Sequence, residues 1–95
     1  MNTPEDRILH FIELLKNSGT IKFKNEFYEK TGLRRQYCVA VKTSSRRFTT
    51  SQIFQICKHY NINANWIFGT ESNIFRDTKK VHIEKKDTLI KNNTV

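Results

Sequence analysis

Apolar side chains recur every three or four residues near the start of the chain, a spacing that predicts an amphipathic helix. The repeating positions are Ile8, Phe11, Ile12 and Leu15, which share one face of a helix with 3.6 residues per turn. The start of this helix has its own signal, because Thr3 is a hydroxyl cap that is followed by a proline and two acidic residues. We therefore predict a first helix that ends near the Asn-Ser-Gly sequence and buries this stripe.

Residues 23–42, FKNEFYEKTGLRRQYCVAVK, predict two short helices joined by a tight turn. Gly32 stands where the first pattern stops, and glycine readily adopts the left-handed conformation that ends a helix. Before the turn, Phe23 and Phe27 are four residues apart and are expected to form one apolar stripe.

The second helix of this pair is expected to have one buried face and one presented face. Cys38 and Val41 are three residues apart and are expected to pack on the first helix together with Leu33. The side chains that project from the opposite side are Arg35, Gln36, Val39, Ala40 and Thr43. Two helices across a short glycine turn form the unit whose second helix can lie in the major groove of DNA. We interpret this stretch as a DNA-reading helix-turn-helix.

The stretch TSSRRF after residue 42 predicts a polar connection. It contains hydroxyl and guanidinium groups next to the end of the reading helix, and such groups suit phosphate oxygens of the flanking DNA backbone. A solvated loop is the alternative. A fourth helix then begins at the capping box of Thr49 and Gln52, with Phe48 just before it as a hydrophobic staple.

Two further apolar groups complete the predicted core. The stripe of the fourth helix is Ile53, Ile56, Cys57 and Tyr60. A short fifth helix is expected over 64–68, closed by Gly69, with Trp66 and Ile67 against the base of the core. Both cysteines fall at helical core spacings, which favours burial as small apolar residues over a disulfide or a redox pair.

The net charge of +8 is unevenly distributed along the 95 residues. Residues 21–47 contain eight Lys and Arg against two acids, whereas residues 48–75 are neutral overall. A scattered excess would indicate only a solvated surface, but this one coincides with the predicted helix pair and favours a polyanion as partner. No apolar run approaches the roughly 20 residues that cross a membrane, and the polar start MNTPEDR does not resemble a signal peptide. We expect one soluble, unprocessed, cytoplasmic domain.

Enzymatic chemistry has little support in the sequence. The histidines, at positions 10, 59 and 82, are far apart, and the two cysteines do not form a C-x-x-C motif. Neither G-x-S-x-G nor a phosphate-binding glycine loop is present. We expect a protein that is not an enzyme, with no catalytic residue, no metal site, no cofactor and no small-molecule substrate.

The five predicted helices in order, with the RRF connection and the closing stretch NANWIFG, resemble the lambda-repressor-like, or XRE, family of helix-turn-helix proteins. The closing stretch is similar to a segment of phage-type and Bacteroidetes-type members, and the resemblance covers about residues 5–75. It implies an all-α, compact five-helix DNA-binding domain with its helix-turn-helix at helices 2 and 3. It also implies a homodimer on a two-fold operator of double-stranded DNA, acting in transcription as a repressor-like regulator in the cytoplasm, associated with the nucleoid.

The resemblance implies base-reading positions at Arg35, Gln36 and Ala40, and backbone contacts at the start of helix 2 and in the loop after helix 3. Adding Val39 from the pattern completes the predicted base-reading set. The predicted DNA-backbone set is Lys22, Lys24, Arg34, Tyr37, Lys42, Thr43, Ser44, Arg46 and Arg47. Two positions depart from the family pattern, since Arg34 replaces a small capping residue and Tyr28 replaces a small residue between the helices.

The basic tail, residues 76–95, follows the predicted domain, residues 1–75. Val81 and Ile83 alternate with polar residues, which permits a short strand. Three interpretations compete: a disordered or partly ordered basic arm that adds to DNA affinity, a dimerisation strand, and a frayed terminus. So few apolar residues offset little ordering entropy, which favours disorder or partial order.

Two other functions compete with DNA reading. The same fold can serve as a protein-interaction module, such as an antitoxin or antirepressor, whose basic face meets an acidic protein. Such a module would have no sequence-dependent affinity for DNA. RNA binding has less support, because no exposed aromatic platform for stacking single-stranded bases is evident in the sequence.

Overall fold

The computed structural model describes residues 3–76 of the chain, and this part is all-helical. Five helices follow one another within it: α1 Pro4–Asn17, α2 Lys24–Thr31, α3 Arg35–Lys42, α4 Thr50–Tyr60 and α5 Ala64–Ile67. The prediction for the tail concerns residues that, apart from Arg76, lie outside the described ones. None of the helices described is long and apolar enough to span a membrane.

The predicted helix starts are confirmed by their hydrogen bonds. At α1, the backbone N–H of Asp6 donates to the hydroxyl of Thr3 at 3.0 Å, and a proline occupies the first turn. At α4, the N–H of Gln52 donates to the Thr49 hydroxyl at 3.1 Å, and the N–H of Thr49 donates back to the Gln52 amide oxygen at 2.8 Å. These reciprocal bonds satisfy N–H groups that have no partner within the helix.

One core gathers apolar side chains from all five helices. The predicted stripe of α1 is buried, and so are the predicted core residues of the helix pair, except Phe23, and those of α5. In α4, Ile56 is buried, whereas Ile53, Cys57 and Tyr60 pack at the edge of the core. The fully buried or nearly buried members are Ile8, Phe11, Ile12, Leu15, Ile21, Phe27, Leu33, Cys38, Val41, Phe48, Ile56, Ile62, Trp66 and Ile67.

Phe23 is not part of the core, so the prediction of a Phe23–Phe27 stripe is wrong. Phe23 precedes the first helical residue of α2, its backbone is extended with φ −130°, and its side chain is 63% exposed. Helical spacing therefore does not apply between the two phenylalanines. The buried positions of α2 are Phe27 and Thr31, whose hydroxyl donates to the Phe27 carbonyl at 2.7 Å.

The residues after α5 fold back onto the domain. α5 ends at Ile67, one residue earlier than expected. The N–H of Asn63 then donates to the Ile74 carbonyl at 2.7 Å, and Arg76 donates to the Asn61 carbonyl at 3.0 Å. This return brings Phe75 against Phe11 of α1, with the ring centroids 6.0 Å apart.

Candidate nucleic-acid interface

The turn between α2 and α3 sets which side of α3 faces outward. Gly32 has a left-handed backbone with φ +77°, and its N–H donates to the carbonyl of Tyr28. Leu33 follows and is buried, so the chain is held against the core just before α3 begins. Because Cys38 and Val41 face the core from α3, the other face of this helix lies at the surface.

The four predicted base-reading residues lie on or beside this surface. Arg35 and Gln36 are exposed in the first turn of α3, Val39 is 51% exposed, and Ala40 is partly exposed. Each of the four residues is three or four positions from another of them, so their side chains project from the same side of the helix. The structure therefore brings these four residues together as one accessible strip along α3.

The beginning of α3 has no side-chain cap among the described residues. Arg34 occupies the N-cap position with an extended backbone, and its side chain does not bond to the helix. The first hydrogen bond along this helix runs from the Cys38 N–H to the Arg34 carbonyl at 3.2 Å. The N–H groups in the first turn of α3 have no partner within the helix, and N–H groups of this kind can bind an oxygen of an anion.

At the C-terminal end of α3, nearby backbone and hydroxyl groups donate hydrogen bonds to a carbonyl of the helix. Ser44 has a positive φ of 68°, and the N–H of Ser45 reaches back to the Ala40 carbonyl at 2.9 Å. The hydroxyls of Thr43 and Ser45 donate to the same carbonyl at 3.1 and 3.0 Å. These bonds give the connection after α3 a defined path. They use the hydroxyl proton of Thr43, which the sequence predicted to contact phosphate.

The loop after α3 is also held by Tyr37 and by α1. The Tyr37 hydroxyl donates to the Arg47 carbonyl at 2.5 Å, and the Arg46 guanidinium lies 5.4 Å from the centre of the Tyr37 ring. On the other side, the N–H of Phe48 donates to a carboxylate oxygen of Glu5 at 3.2 Å, and Arg47 approaches the same carboxylate at 3.9 Å. Both arginine side chains remain exposed on a loop whose backbone is tied at two points.

Basic residues of α2, α3 and the following loop line two neighbouring clefts. The first, of about 210 Å³, lies between the start of α1 and the loop, and includes Lys42, Ser44, Arg46 and Arg47. The second, of similar volume, lies between α1 and α2 and is lined by Leu9, His10, Ile12, Glu13, Lys24 and Lys42. Since Lys42 borders both, the basic side chains continue from the start of α2 to the loop after α3.

Besides Thr43 and Arg47, whose contacts are given above, Lys24 and Tyr37 of the predicted DNA-backbone set have partners within the protein. Lys24 donates a hydrogen bond to the carboxylate of Glu13 on α1. The hydroxyl of Tyr37 donates its proton to the backbone carbonyl of Arg47 in the loop after α3. The backbone N–H of Lys22 is bound by the carboxylate of Glu26 at 3.0 Å, while the Lys22 side chain is exposed.

Sequence reasoning missed two acidic residues of this surface, Glu5 and Glu13. The sequence predicts only a favourable interaction of Glu5 with the dipole of α1. In the structure, its carboxylate also accepts a hydrogen bond from the backbone N–H of Phe48, 43 residues away. The only sequence signal for Glu13 was its position outside the apolar stripe, which gives no information about a partner on another helix. Both contacts depend on how α1 packs across the helix pair.

The described residues contain no group of three or more His, Cys, Asp or Glu side chains arranged to hold a metal ion. Comparisons with protein-family models, curated proteins and solved structures found no match to this chain.

Proposed function

We propose that this chain is a lambda-repressor-like helix-turn-helix protein that binds specific sequences of double-stranded DNA and regulates transcription as a repressor. The observation that carries the proposal is the exposed strip of α3, which has free N–H groups at its start and basic residues at both ends. A helix presented in this way fits the major groove, which is about 12 Å wide and admits an α-helix.

The side chains of the strip suit direct reading of base edges. Arg35 can donate two hydrogen bonds to O6 and N7 of guanine, and Gln36 can pair with N6 and N7 of adenine. Val39 and Ala40 offer apolar contact to a thymine methyl group. A good bidentate pair contributes roughly 1–3 kcal/mol of discrimination against the wrong base.

The surrounding basic residues suit the phosphates on either side of the groove. Arg34 lies at the start of α3, and Lys42 with the two loop arginines lies at its end. Contacts of this kind orient a protein on the duplex but do not carry sequence information. They also make affinity fall with salt, because bound phosphates release their counterions.

A homodimer on a two-fold operator and a cytoplasmic, nucleoid-associated location belong to the same proposal. They rest on the resemblance of the helix order and the NANWIFG segment to the lambda-repressor-like family. A recovered binding site with two symmetric half-sites would support the dimer, and the spacing between the half-sites would give its geometry.

The test is enrichment of random duplex DNA by the purified full chain. We expect a recovered motif that binds about a thousandfold or more above its scrambled sequence. Repeating the enrichment with Arg35→Ala should relax the preference at one base pair. Arg46→Ala should weaken all sequences alike and lower the salt slope by about 1.

Three outcomes would count against this proposal. Weak, steeply salt-dependent binding to the motif and the scramble alike would mean that only charge is engaged. An unchanged preferred site for Arg35→Ala would remove that residue from the reading set. A loss of preference with Arg46→Ala would mean that the loop, and not α3, reads the bases.

A protein-interaction module is the second candidate function, and exposed aromatic side chains favour it. Phe54, Phe68 and Phe75 are each more than half exposed, on or after the last two helices. Exposed aromatic residues are enriched at protein interfaces. This function predicts no sequence-dependent DNA affinity, so the enrichment experiment separates it from the first.

A further inference from the structure

An ion pair joins a predicted DNA-backbone residue to an acid on a neighbouring helix. Lys24, the first residue of α2, donates a hydrogen bond from its ammonium group to the carboxylate of Glu13 on α1. The two side chains are 36% and 49% exposed, so both remain accessible from the surface. Lys42, at the end of α3, borders the same cleft.

The electrostatic environment of Glu13 is basic. Its hydrogen bond with Lys24 lowers the pKa of the Glu13 carboxyl, against a smaller opposing effect of burial, and the charges of Lys24, Lys16 and Lys42 lower it further. Glu13 is therefore an ionised acid among three lysines, on the surface that we propose faces DNA. A carboxylate in this position also repels a phosphate that approaches the same lysines.

We propose that Glu13 binds Lys24 in the free protein in the place of a DNA phosphate, and thereby lowers the affinity for every duplex by the same factor. The inference rests on the proposed DNA-binding function. A carboxylate oxygen and a phosphate oxygen are equivalent acceptors for a lysine ammonium group, which is a compact charge on a flexible stem. The two acceptors therefore compete for Lys24.

This competition changes absolute affinity but not selectivity. A phosphate contact is independent of base sequence, so the ratio of specific to non-specific affinity stays constant when the contact is weakened. Glu13 thus limits how tightly the basic surface holds DNA of any sequence, while the exposed strip of α3 determines the preferred site.

The test compares Glu13→Gln with Glu29→Gln, which removes the same charge from an exposed residue of α2. Exposed ion pairs are weak, so we expect Glu13→Gln to raise affinity about two- to fivefold for both the preferred and a scrambled duplex. The salt slope should steepen by up to about 1, because Lys24 becomes fully available to a phosphate. Glu29→Gln should give a smaller gain, since it changes only the net charge.

A double-mutant cycle with Lys24→Met assigns the effect to the pair. In the Lys24→Met background, Glu13→Gln should add no more than the control Glu29→Gln does. The inference is overturned if Glu13→Gln and Glu29→Gln give equal gains, or if the gain from Glu13→Gln persists undiminished without Lys24. A merely structural ion pair would change the free energy of unfolding and leave the salt slope unaltered.

Two measurements keep this inference distinct from the proposed function. Titration of the Glu13 carboxyl by NMR should show a depressed pKa that rises in Lys24→Met, and an unchanged pKa would overturn the pairing itself. If the wild-type chain binds no duplex, the proposed function fails and this inference fails with it. If the wild-type chain binds DNA and the cycle shows no coupling, only this inference fails.

Discussion

The hydroxyl of Tyr37 on α3 donates a hydrogen bond to the backbone carbonyl of Arg47, at a distance of 2.5 Å. This bond joins the proposed reading helix to the loop that carries the proposed phosphate contacts. The ring of Tyr37 also packs near Phe48, with centroids 6.3 Å apart, and lies under the guanidinium of Arg46. One side chain therefore helps to set the position of the loop relative to α3.

We predict that Tyr37→Phe loosens this loop while leaving the ring contacts in place. Loss of one hydrogen bond should lower the free energy of unfolding by about 0.5–1.5 kcal/mol. Affinity for all duplexes should fall by roughly two- to tenfold, with the preferred site unchanged. Urea denaturation and fluorescence anisotropy with labelled duplexes measure the two effects.

Tyr60→Phe provides the matched control for Tyr37→Phe. It also removes one hydroxyl, but Tyr60 lies on α4 with its ring stacked on Phe27, 5.3 Å between centroids. We expect its DNA affinity to equal that of the wild type. Equal affinities for Tyr37→Phe and the wild type would mean that the Tyr37 hydroxyl does not position the loop.

We predict that Gly32→Ala destabilises the fold through the backbone alone. Residue 32 has a φ of +77°, and a Cβ added there would meet no atom within 4 Å. An L-residue in this conformation costs about 1–2 kcal/mol. The midpoint of urea denaturation should fall with little change in its slope.

Gly32→Asn tests whether this cost arises from the backbone conformation. Asparagine tolerates the left-handed region better than alanine, so Gly32→Asn should lose less stability than Gly32→Ala. Equal losses in both variants would indicate a steric cause in place of a conformational one.

We predict that ionisation of the buried Cys38 thiol lowers the stability of the fold at alkaline pH. Cys38 is 4% exposed, and burial raises the pKa of its thiol from 9.0 to about 11. The unfolded chain loses this proton above pH 9, whereas the folded chain keeps it until about pH 11. Stability is therefore unaffected by this group below pH 9 and should fall by about 2 kcal/mol as the pH rises to 11.

Urea denaturation at pH 8, 9.5 and 10.5 checks this prediction, with Cys38→Ala as the comparison. The variant starts less stable because it loses buried volume, but its profile should be flatter across this range. Burial also raises the pKa of Tyr28 and Tyr60, and both tyrosines remain in the variant. The difference between the two profiles therefore isolates Cys38, and parallel profiles would contradict the prediction.

The helices and their ends were predictable because their signals are local. Thr3 accepts its bond from a residue three positions away, and so does Thr49. Gly32 needs no distant partner to end α2. The one clear error, Phe23, came from extending helical spacing past the first residue of α2. The extended backbone at that residue turns its side chain away from the core, and spacing alone does not reveal where a helix begins.

The sequence by itself determined the five helices, the buried stripe of α1, the buried side of α3 and the excess of positive charge around α2 and α3. These follow from interactions within about four residues and from the burial of apolar stripes. Only the tertiary structure decided which acids meet the basic surface. Glu5 reaches Phe48 and Glu13 reaches Lys24 because α1 packs across the other helices. The packing of the whole core sets these distances, and no local pattern encodes them.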